Sequence, residues 1–233
     1  EPEQEPLKFG YDFFKSDPSL TDITGDLPLP NDYRISLNDK FSFILSGSKR
    51  SKFDAEVNLD GTILFPDLGS ISVAGETLGE VKKKIDNLVN EVYIGVDVNI
   101  SLSYLSAKKI SIVGAVESPG TYLVNPFSSI TSALSYSGGI LEIGSLRNIK
   151  LLKTNGDILN FDLYDLLIDG DRSKDVTVDA GDVILIESAN KFTNLKGAVN
   201  RPAIYEIKEG EDLEDLINFG MGFKKNSNLS KVS

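Results

Sequence analysis

The chain has 233 residues, 40% hydrophobic and 25% charged, a composition typical of a folded globular protein. Lys and Arg number 24 against 35 Asp and Glu, and the resulting net charge of −11 repels phosphate backbones, so nucleic acid is not expected as a partner. The absence of Cys and His excludes zinc sites built on those residues, thiol nucleophiles, disulfides and Ser-His-Asp triads.

Residues 1–30 predict an extended acidic arm. Five of the nine prolines lie there, and prolines separated by acidic residues favour chain without a packed core. A cluster of large apolar side chains within the arm is expected to dock on the chain's own domain, or otherwise on a neighbouring copy, because such a patch is costly to leave in water. The cluster consists of Leu7, Phe9, Tyr11, Phe13 and Phe14. Without an apolar or signal-type segment at residue 1, the start at Glu1 is interpreted as that of a mature or trimmed product.

The first folded domain is predicted over 31–106. Alternating apolar residues over 57–65 are interrupted by Asp60-Gly61, which predicts a β-hairpin with a two-residue turn. Thr77 and Glu80 have the spacing of a capping box and open a helix over 78–89 with apolar residues on one face.

The strict alternation of 96–104 then predicts a strand with one buried face.

The second domain is predicted over 107–190 as two strands, one helix and further strands, the order of a β-grasp fold. Ser129 is the expected N-cap of a short helix that ends at two glycines. The closing strands are predicted at 147–152, 158–163 and 183–186, with Asn155-Gly156 as the hairpin turn between the first two. The fold class is therefore α+β, with one helix expected per module.

A phrase of this domain is repeated 83 residues later. Gly114-Ala115-Val116 returns as Gly197-Ala198-Val199, and the same offset places Pro119 on Pro202. Constant-offset repeats indicate arrays of stacked modules. The second copy, 191–233, is expected to be half a module, because its closing strands would fall near residue 270, which is 187 + 83. We therefore expect it to pack on its neighbour or on another copy.

Structural turn positions are predicted throughout the chain from Gly, Pro and Asp at the breaks between periodic segments. They are Asp60, Gly61, Gly114, Pro119, Gly120, Gly138, Gly139, Gly181, Asp182, Gly197 and Pro202.

These motifs resemble the bacterial outer-membrane polysaccharide export (OPX) proteins. Residues 31–106 are similar to the polysaccharide biosynthesis/export domain through Tyr33-Arg34-Ile35, Asp60-Gly61 and Thr77-Leu78. The two repeats resemble SLBB modules, the soluble-ligand-binding β-grasp domains, through the Gly-Ala-Val phrases and the motifs that follow them. Those motifs in the first repeat are Gly138-Gly139, Gly144-Ser145-Leu146-Arg147, Asp162-Leu163-Tyr164 and Gly181-Asp182-Val183.

At two turns this chain departs from the family's pattern. Asn38-Asp39 stands where the family has Gly-Asp, and Gly220-Met221-Gly222 replaces an Ala-Gly-Gly phrase.

The resemblance implies the periplasmic part of a ring-shaped homo-oligomer, associated with the outer membrane of a Gram-negative bacterium, through which capsular or extracellular polysaccharide passes. The partners it implies are polysaccharide, further copies of the chain, an inner-membrane polysaccharide co-polymerase/tyrosine kinase, and the outer membrane through segments outside this chain. No cofactor is implied.

The candidate ligand- or polysaccharide-binding residues are Arg147, Asp162 and Tyr164. The guanidinium of Arg147 offers a fixed fork of donors to an acidic sugar, although a salt bridge or a solvated strand end is the more common role of such a residue. Two functions of other classes stay open: a β-grasp scaffold that binds a ligand or glycan without a channel role, and a carboxylate-dependent glycan-cleaving enzyme.

An acidic cluster also suggests calcium, but the pattern of an EF-hand loop fails. Counting from Asp169, the position that requires Gly is Lys174 and the position that requires Glu is Ala180. We therefore expect a solvated acidic face and no metal. The cluster comprises Asp162, Asp165, Asp169, Asp171 and Asp175.

Overall fold

The structure is a computed structural model that describes residues 7–15 and 29–225. Most of the predicted acidic arm therefore lies outside the described residues, as do the last eight residues of the predicted half-module. The described residues form two compact units, one of residues 29–107 and the other of residues 7–15 together with 108–225.

The unit of residues 29–107 packs one helix against a three-stranded antiparallel sheet of order β2-β1-β5, with a separate two-stranded hairpin, β3-β4. Its elements are β1 (Lys40–Gly47), β2 (Ser51–Glu56), β3 (Thr62–Phe65), β4 (Gly69–Ser72), α1 (Leu78–Val92) and β5 (Val96–Tyr104). The predicted strand over 96–104 is confirmed. The buried Val96 and Ile100 and the half-buried Val98 and Leu102 alternate with exposed polar residues, whereas Tyr104 at the end of the strand is exposed.

The predicted hairpin around Asp60-Gly61 is wrong. A tight turn does form there, since the Gly61 N–H donates to the Asn58 carbonyl at 2.9 Å. However, the strands on either side belong to different sheets: β2 pairs with β1, whereas β3 pairs with β4. The turn therefore passes the chain from one sheet to the next. The alternating pattern could not distinguish this crossover from a hairpin, because both bury every second residue.

Helix α1 begins with the predicted capping box. The Thr77 hydroxyl accepts from the Glu80 N–H at 3.2 Å, and the Glu80 carboxylate accepts from the Thr77 N–H at 2.8 Å. The helix continues to Val92, three residues beyond the predicted end. Its apolar face is fully buried against the sheet and comprises Leu78, Val81, Ile85 and Val89.

The second unit contains a complete β-grasp sheet of order β7-β6-β10-β8-β9, in which only the β6–β10 pair is parallel. The elements of this module are β6 (Lys108–Gly114), β7 (Gly120–Val124), α2 (Ile130–Tyr136), β8 (Gly144–Leu152), β9 (Ile158–Phe161), α3 (Leu163–Asp169) and β10 (Val183–Ser188). Ser129 caps α2 as predicted, accepting from the Ser132 N–H. The predicted α+β class and β-grasp order are confirmed.

The prediction of one helix per module is wrong for this module. The strand predicted over 158–163 ends at Phe161, and Asp162 begins helix α3 by accepting from the Tyr164 N–H at 2.9 Å. Asp is a strong N-cap residue because its carboxylate satisfies a free N–H of the first turn. The sequence analysis missed this cap because the alternation of apolar residues continues across Asp162 and predicts a strand there.

The repeated half adds β11 (Phe192–Leu195), β12 (Ala203–Glu206) and α4 (Leu213–Phe219). Helix α4 has the bounds of α2 shifted by 83 residues, so the repeat is structural. Buried residues of the half-module, including Leu195, Tyr205 and Leu216, belong to the same hydrophobic core as those of the first module. The half-module therefore packs on its neighbour, as predicted.

The apolar cluster of the arm docks on this same unit, which confirms the expected docking on the chain's own domain. Tyr11 and Phe14 are buried in its core, and Phe14 lies on a short 3-10 helix, Phe13–Lys15. The Phe9 N–H donates to the carbonyl of Ile204 in β12 at 2.9 Å. Leu7 and Phe13, in contrast, are exposed.

Candidate functional site at the junction of the two modules

Arg147 of β8 lies at the centre of a buried charged junction between the first module and the half-module. Its side chain is only 7% exposed. Nε and Nη2 donate to the Asp162 carboxylate at 3.2 and 3.1 Å, and Nη1 donates to Glu211 at 2.6 Å and to the Glu206 carbonyl at 3.2 Å. Burial alone would lower the pKa of Arg147, but the hydrogen bonds that it donates to Glu211 and Asp162, together with the negative charge of Asp162, outweigh burial and hold the pKa above its ordinary value.

Asp162 connects the two modules from the other side of the guanidinium. Besides capping α3 and binding Arg147, its carboxylate accepts from Lys208 Nζ at 2.7 Å. Lys208 belongs to the loop between β12 and α4, in the half-module. One buried carboxylate therefore joins β8, α3 and the half-module.

Tyr164 contacts the junction through both its ring and its hydroxyl. The guanidinium carbon of Arg147 lies 4.7 Å from the centre of the Tyr164 ring, a cation–π distance. The Tyr164 hydroxyl oxygen accepts from the Glu206 N–H at 3.0 Å. Burial raises the pKa of Tyr164, so the phenol is neutral at physiological pH.

Glu206 is a buried carboxylate at the end of β12, 5% exposed. It accepts from the Ser145 hydroxyl at 2.5 Å and from the Leu146 N–H at 2.9 Å. Burial raises its pKa above the ordinary value of 4.5, even though these donors and nearby Arg147 favour the charged form.

The segment 7–15 covers this junction. The Phe9 ring lies 5.2 Å from the Tyr164 ring and 5.1 Å from the Tyr205 ring, while the Tyr11 hydroxyl donates to the Gly144 carbonyl at 2.5 Å. Three parts of the chain that are distant in sequence therefore share one core.

The structure brings together all three residues predicted to bind ligand, Arg147, Asp162 and Tyr164. The nitrogens of the Arg147 guanidinium donate to protein acceptors, which is the salt-bridge alternative of the sequence analysis. Sequence reasoning missed Ser145, Glu206, Lys208 and Glu211. One signal was available for Glu211: the run Lys208-Glu209-Gly210-Glu211 repeats the form of Asp179-Ala180-Gly181-Asp182, a turn with Gly before an acid.

These two runs share their hydrogen bonds as well as their form. The Asp179 N–H donates to the Asp182 carboxylate at 2.8 Å, and the Lys208 N–H donates to the Glu211 carboxylate at 2.8 Å. Each carboxylate thus accepts a hydrogen bond within its own turn and also forms an ion pair, Asp182 with Lys153 and Glu211 with Arg147.

The residues predicted as turn positions lie between elements or at the end of one, as Gly114 ends β6 and Gly120 begins β7. Asp60 accepts from the Thr62 N–H at 3.0 Å, and Asp182 is fully buried. Pro119 precedes β7, which begins at Gly120, and Pro202 precedes β12. The glycines with positive φ among them are Gly61, Gly114, Gly138, Gly139, Gly181 and Gly197.

The acidic cluster does not gather at one point. Asp165 pairs with Lys174 at 2.9 Å, while Asp175 accepts from the Ser129 hydroxyl at 2.9 Å and from the Thr131 hydroxyl at 2.6 Å, at the start of α2. Asp171 closes a local turn by accepting from the Ser173 N–H. These carboxylates therefore form local hydrogen bonds and an ion pair within the module.

Within 7–15 and 29–225, no helix has both the length and the apolar character needed to cross a bilayer.

Comparison with known proteins matches both units of the chain. A family model described as polysaccharide biosynthesis/export protein matches residues 27–103, and a model of the SLBB domain matches 109–162 and 193–233. The chain is similar to polysialic acid transport protein KpsD of Escherichia coli, with 29% identity over 183 residues that cover 76% of this chain. It is also similar to EPS I polysaccharide export outer membrane protein EpsA of Ralstonia nicotianae, with 24% identity over 178 residues that cover 75% of this chain.

The matched regions span only 32% of KpsD and 46% of EpsA. Both family models occur in the order that the structure shows, an export domain followed by a complete and a partial β-grasp module. The chain therefore belongs to the OPX class of polysaccharide biosynthesis/export proteins.

Proposed function

We propose that this chain is the periplasmic part of an outer-membrane polysaccharide export protein, and that the full-length protein forms a ring-shaped conduit for capsular or extracellular polysaccharide. One observation carries the proposal: an export domain is followed by β-grasp modules that a buried charged junction joins to each other. The names of the two relatives, which describe polysialic acid transport and polysaccharide export, support the same function.

A rigid junction between modules suits the wall of a conduit. Arg147, Asp162 and Glu211 connect the modules through buried ion pairs, and removing one partner of such a pair leaves an uncompensated charge. Bending at this junction would expose those charges and the core they cover. We propose the same division as the sequence predicts: an arm to residue 30, an export domain over 31–106, and modules over 107–190 and 191–233.

Assembly into a ring is supported by apolar surface on the half-module. Leu213 is 55% exposed and Met221 is 63% exposed, and modules of this size bury a smaller fraction of their surface than larger domains do. We propose that adjacent copies pack on such surfaces and that an inner-membrane co-polymerase/tyrosine kinase delivers the polymer.

Transport without catalysis is the proposed activity. The buried carboxylates of the junction bind Arg147, Lys208, Ser145 and backbone N–H groups, so they are committed to structural partners. A pair of glycosidase carboxylates must instead face a sugar across an open site.

Deleting the gene in the source bacterium tests the export function. We expect surface polysaccharide to be lost while polymer accumulates inside the cell, with recovery when the gene is restored. Native mass spectrometry of the full-length, membrane-associated protein tests the ring. A strict monomer in that preparation would contradict the conduit. Unchanged surface polysaccharide after deletion would favour the alternative of a ligand-binding scaffold.

A further inference from the structure

A second feature of the module unit lies outside the charged junction. An open groove with a volume of about 790 Å³ runs between the docked segment 7–15 and the half-module. This volume is in the range of small-molecule sites, roughly 300 to 1,000 Å³, and far exceeds that of one inorganic anion. Part of its wall is apolar, formed by Phe9, Pro202 and Ala203.

The charge of the groove is opposite to that of the chain. Four basic residues line it, Lys8, Lys15, Lys196 and Arg201, against two acidic residues, Asp12 and Glu142. The chain as a whole carries a net charge of −11. A local excess of positive charge in a strongly acidic protein attracts anionic ligands selectively to one place on its surface.

The guanidinium of Arg201 is held in one orientation by its neighbours. Its guanidinium carbon lies 4.2 Å from the centre of the Phe9 ring, and Nε and Nη2 both donate to the Phe219 carbonyl, at 3.2 and 2.7 Å. These contacts fix the plane of the guanidinium. Among residues 7–15 and 29–225, Nη1 has no acceptor. A preorganised donor costs less entropy when it binds than a mobile one.

Of the three lysines in the groove, one contacts other protein groups and two form no ion pair within the described residues. Lys8 Nζ donates to the Glu142 carbonyl at 2.6 Å and lies 4.2 Å from the centre of the Phe192 ring, so it is already engaged. Lys15 and Lys196 form no ion pair with the carboxylates that the structure describes. Within residues 7–15 and 29–225, no carboxylate therefore competes with a ligand for these two ammonium groups.

We propose that this groove binds an acidic segment of a glycan, with sugar carboxylates on Arg201, Lys15 and Lys196 and the sugar rings along the apolar wall. A groove that is open to solvent can bind one segment of a long polymer, whereas an enclosed pocket could not. The assignment of the ligand as a glycan depends on the proposed export function, while the preference for anions depends on the groove alone.

Calorimetry on the 233-residue chain tests the proposal with two oligosaccharides of equal length, hexagalacturonate and uncharged maltohexaose. We expect only hexagalacturonate to bind, with an affinity that falls as NaCl is raised. The double variant Lys15→Gln/Lys196→Gln should weaken binding at least about tenfold, which corresponds to about 1.4 kcal/mol. Both side chains are exposed, so this variant is expected to fold.

The matched control is Lys52→Gln/Lys83→Gln, which removes the same charge from exposed positions of the export domain. Equal loss of binding in both double variants, equal binding of the two oligosaccharides, or no binding would overturn the proposal. Binding to phosphatidylglycerol vesicles in place of hexagalacturonate would also overturn it and assign the groove to a membrane surface. Gene deletion tests export separately, so failure of the groove and failure of the export function are distinguishable.

Discussion

Met221 occupies in the half-module the position that Gly138 occupies in the first module, and both residues adopt left-handed backbone, with φ of 61° and 81°. The following residues, Gly139 and Gly222, are also left-handed. The departure from the family's Ala-Gly-Gly phrase therefore leaves the turn unchanged and places a side chain where glycine is favoured. Asn38 is a second case, with φ of 67° where the family has Gly.

Replacing Met221 by Gly should stabilise the protein. A non-glycine residue in left-handed backbone costs about 1–2 kcal/mol, part of which is offset by the greater unfolded-state entropy of Gly. The Met221 side chain is 63% exposed, so little packing is lost. We expect Met221→Gly to raise the free energy of unfolding in urea by about 0.5–1 kcal/mol. Met221→Ala is the control, because Ala keeps the backbone penalty; a Gly variant no more stable than the Ala variant would contradict this account.

Gly114 and Gly197 offer a matched pair for the two modules. Both have positive φ, 92° and 95°, but a Cβ on Gly114 would lie 2.0 Å from the Ile186 carbonyl oxygen, whereas a Cβ on Gly197 would meet nothing within 4 Å. Gly114→Ala should therefore cost about 1–3 kcal/mol more than Gly197→Ala, because it must also separate β6 from β10. Thermal or urea unfolding of the two variants measures the difference. Equal losses would show that backbone strain alone decides both positions.

Removing Arg147 should loosen the half-module. Arg147→Ala leaves Glu211 and the buried Asp162 without their main cation, and breaking a buried ion pair costs about 3–5 kcal/mol. Hydrogen exchange should accelerate in β12 and α4 more than in β6. Lys174→Ala is the control, since its pair with Asp165 is accessible to solvent, with side chains 60% and 30% exposed, and surface pairs contribute about 0–1 kcal/mol. Unchanged protection of α4 in Arg147→Ala would refute the role of the junction.

Glu206 and Glu211 should give opposite dependences on pH. Burial raises the pKa of Glu206 above 4.5, so its contribution to stability is fully present below 4.5 and is lost as pH rises through the folded pKa. The stability advantage of the natural protein over Glu206→Gln should therefore grow as pH falls.

For Glu211, burial would raise the pKa, but the hydrogen bonds from Arg147 and the Lys208 N–H hold it below 4.5. Its contribution is present above 4.5 and is lost as pH falls through the folded pKa, so the advantage over Glu211→Gln should shrink. Unfolding in urea at about pH 7 and about pH 4 measures both differences. Slopes of the same sign for the two variants would contradict the assignment.

Much of the fold could be predicted because its determinants lie within a few residues of each other. The Thr77–Glu80 capping box, the Ser129 cap and the alternation of β5 are local signals that tertiary structure did not override. Prediction failed in two regions where an alternating pattern fits two structures. Over 57–65 the pattern fits a hairpin as well as the observed crossover between sheets. Over 158–163 it fits a continuous strand as well as the observed strand followed by a capped helix.

The sequence by itself determined the α+β class, the β-grasp order of the first module and the presence of a repeat, since turn glycines, caps and hydrophobic periodicity act over short distances. The partners of Arg147 were decided only by tertiary structure. Glu211 is 64 residues away from it, and only the packing of β8 against the half-module brings the two charges to 2.6 Å. From the sequence, Arg147 could either bind a ligand or form a salt bridge. In the folded chain carboxylates lie against its guanidinium, because a buried charge requires compensation.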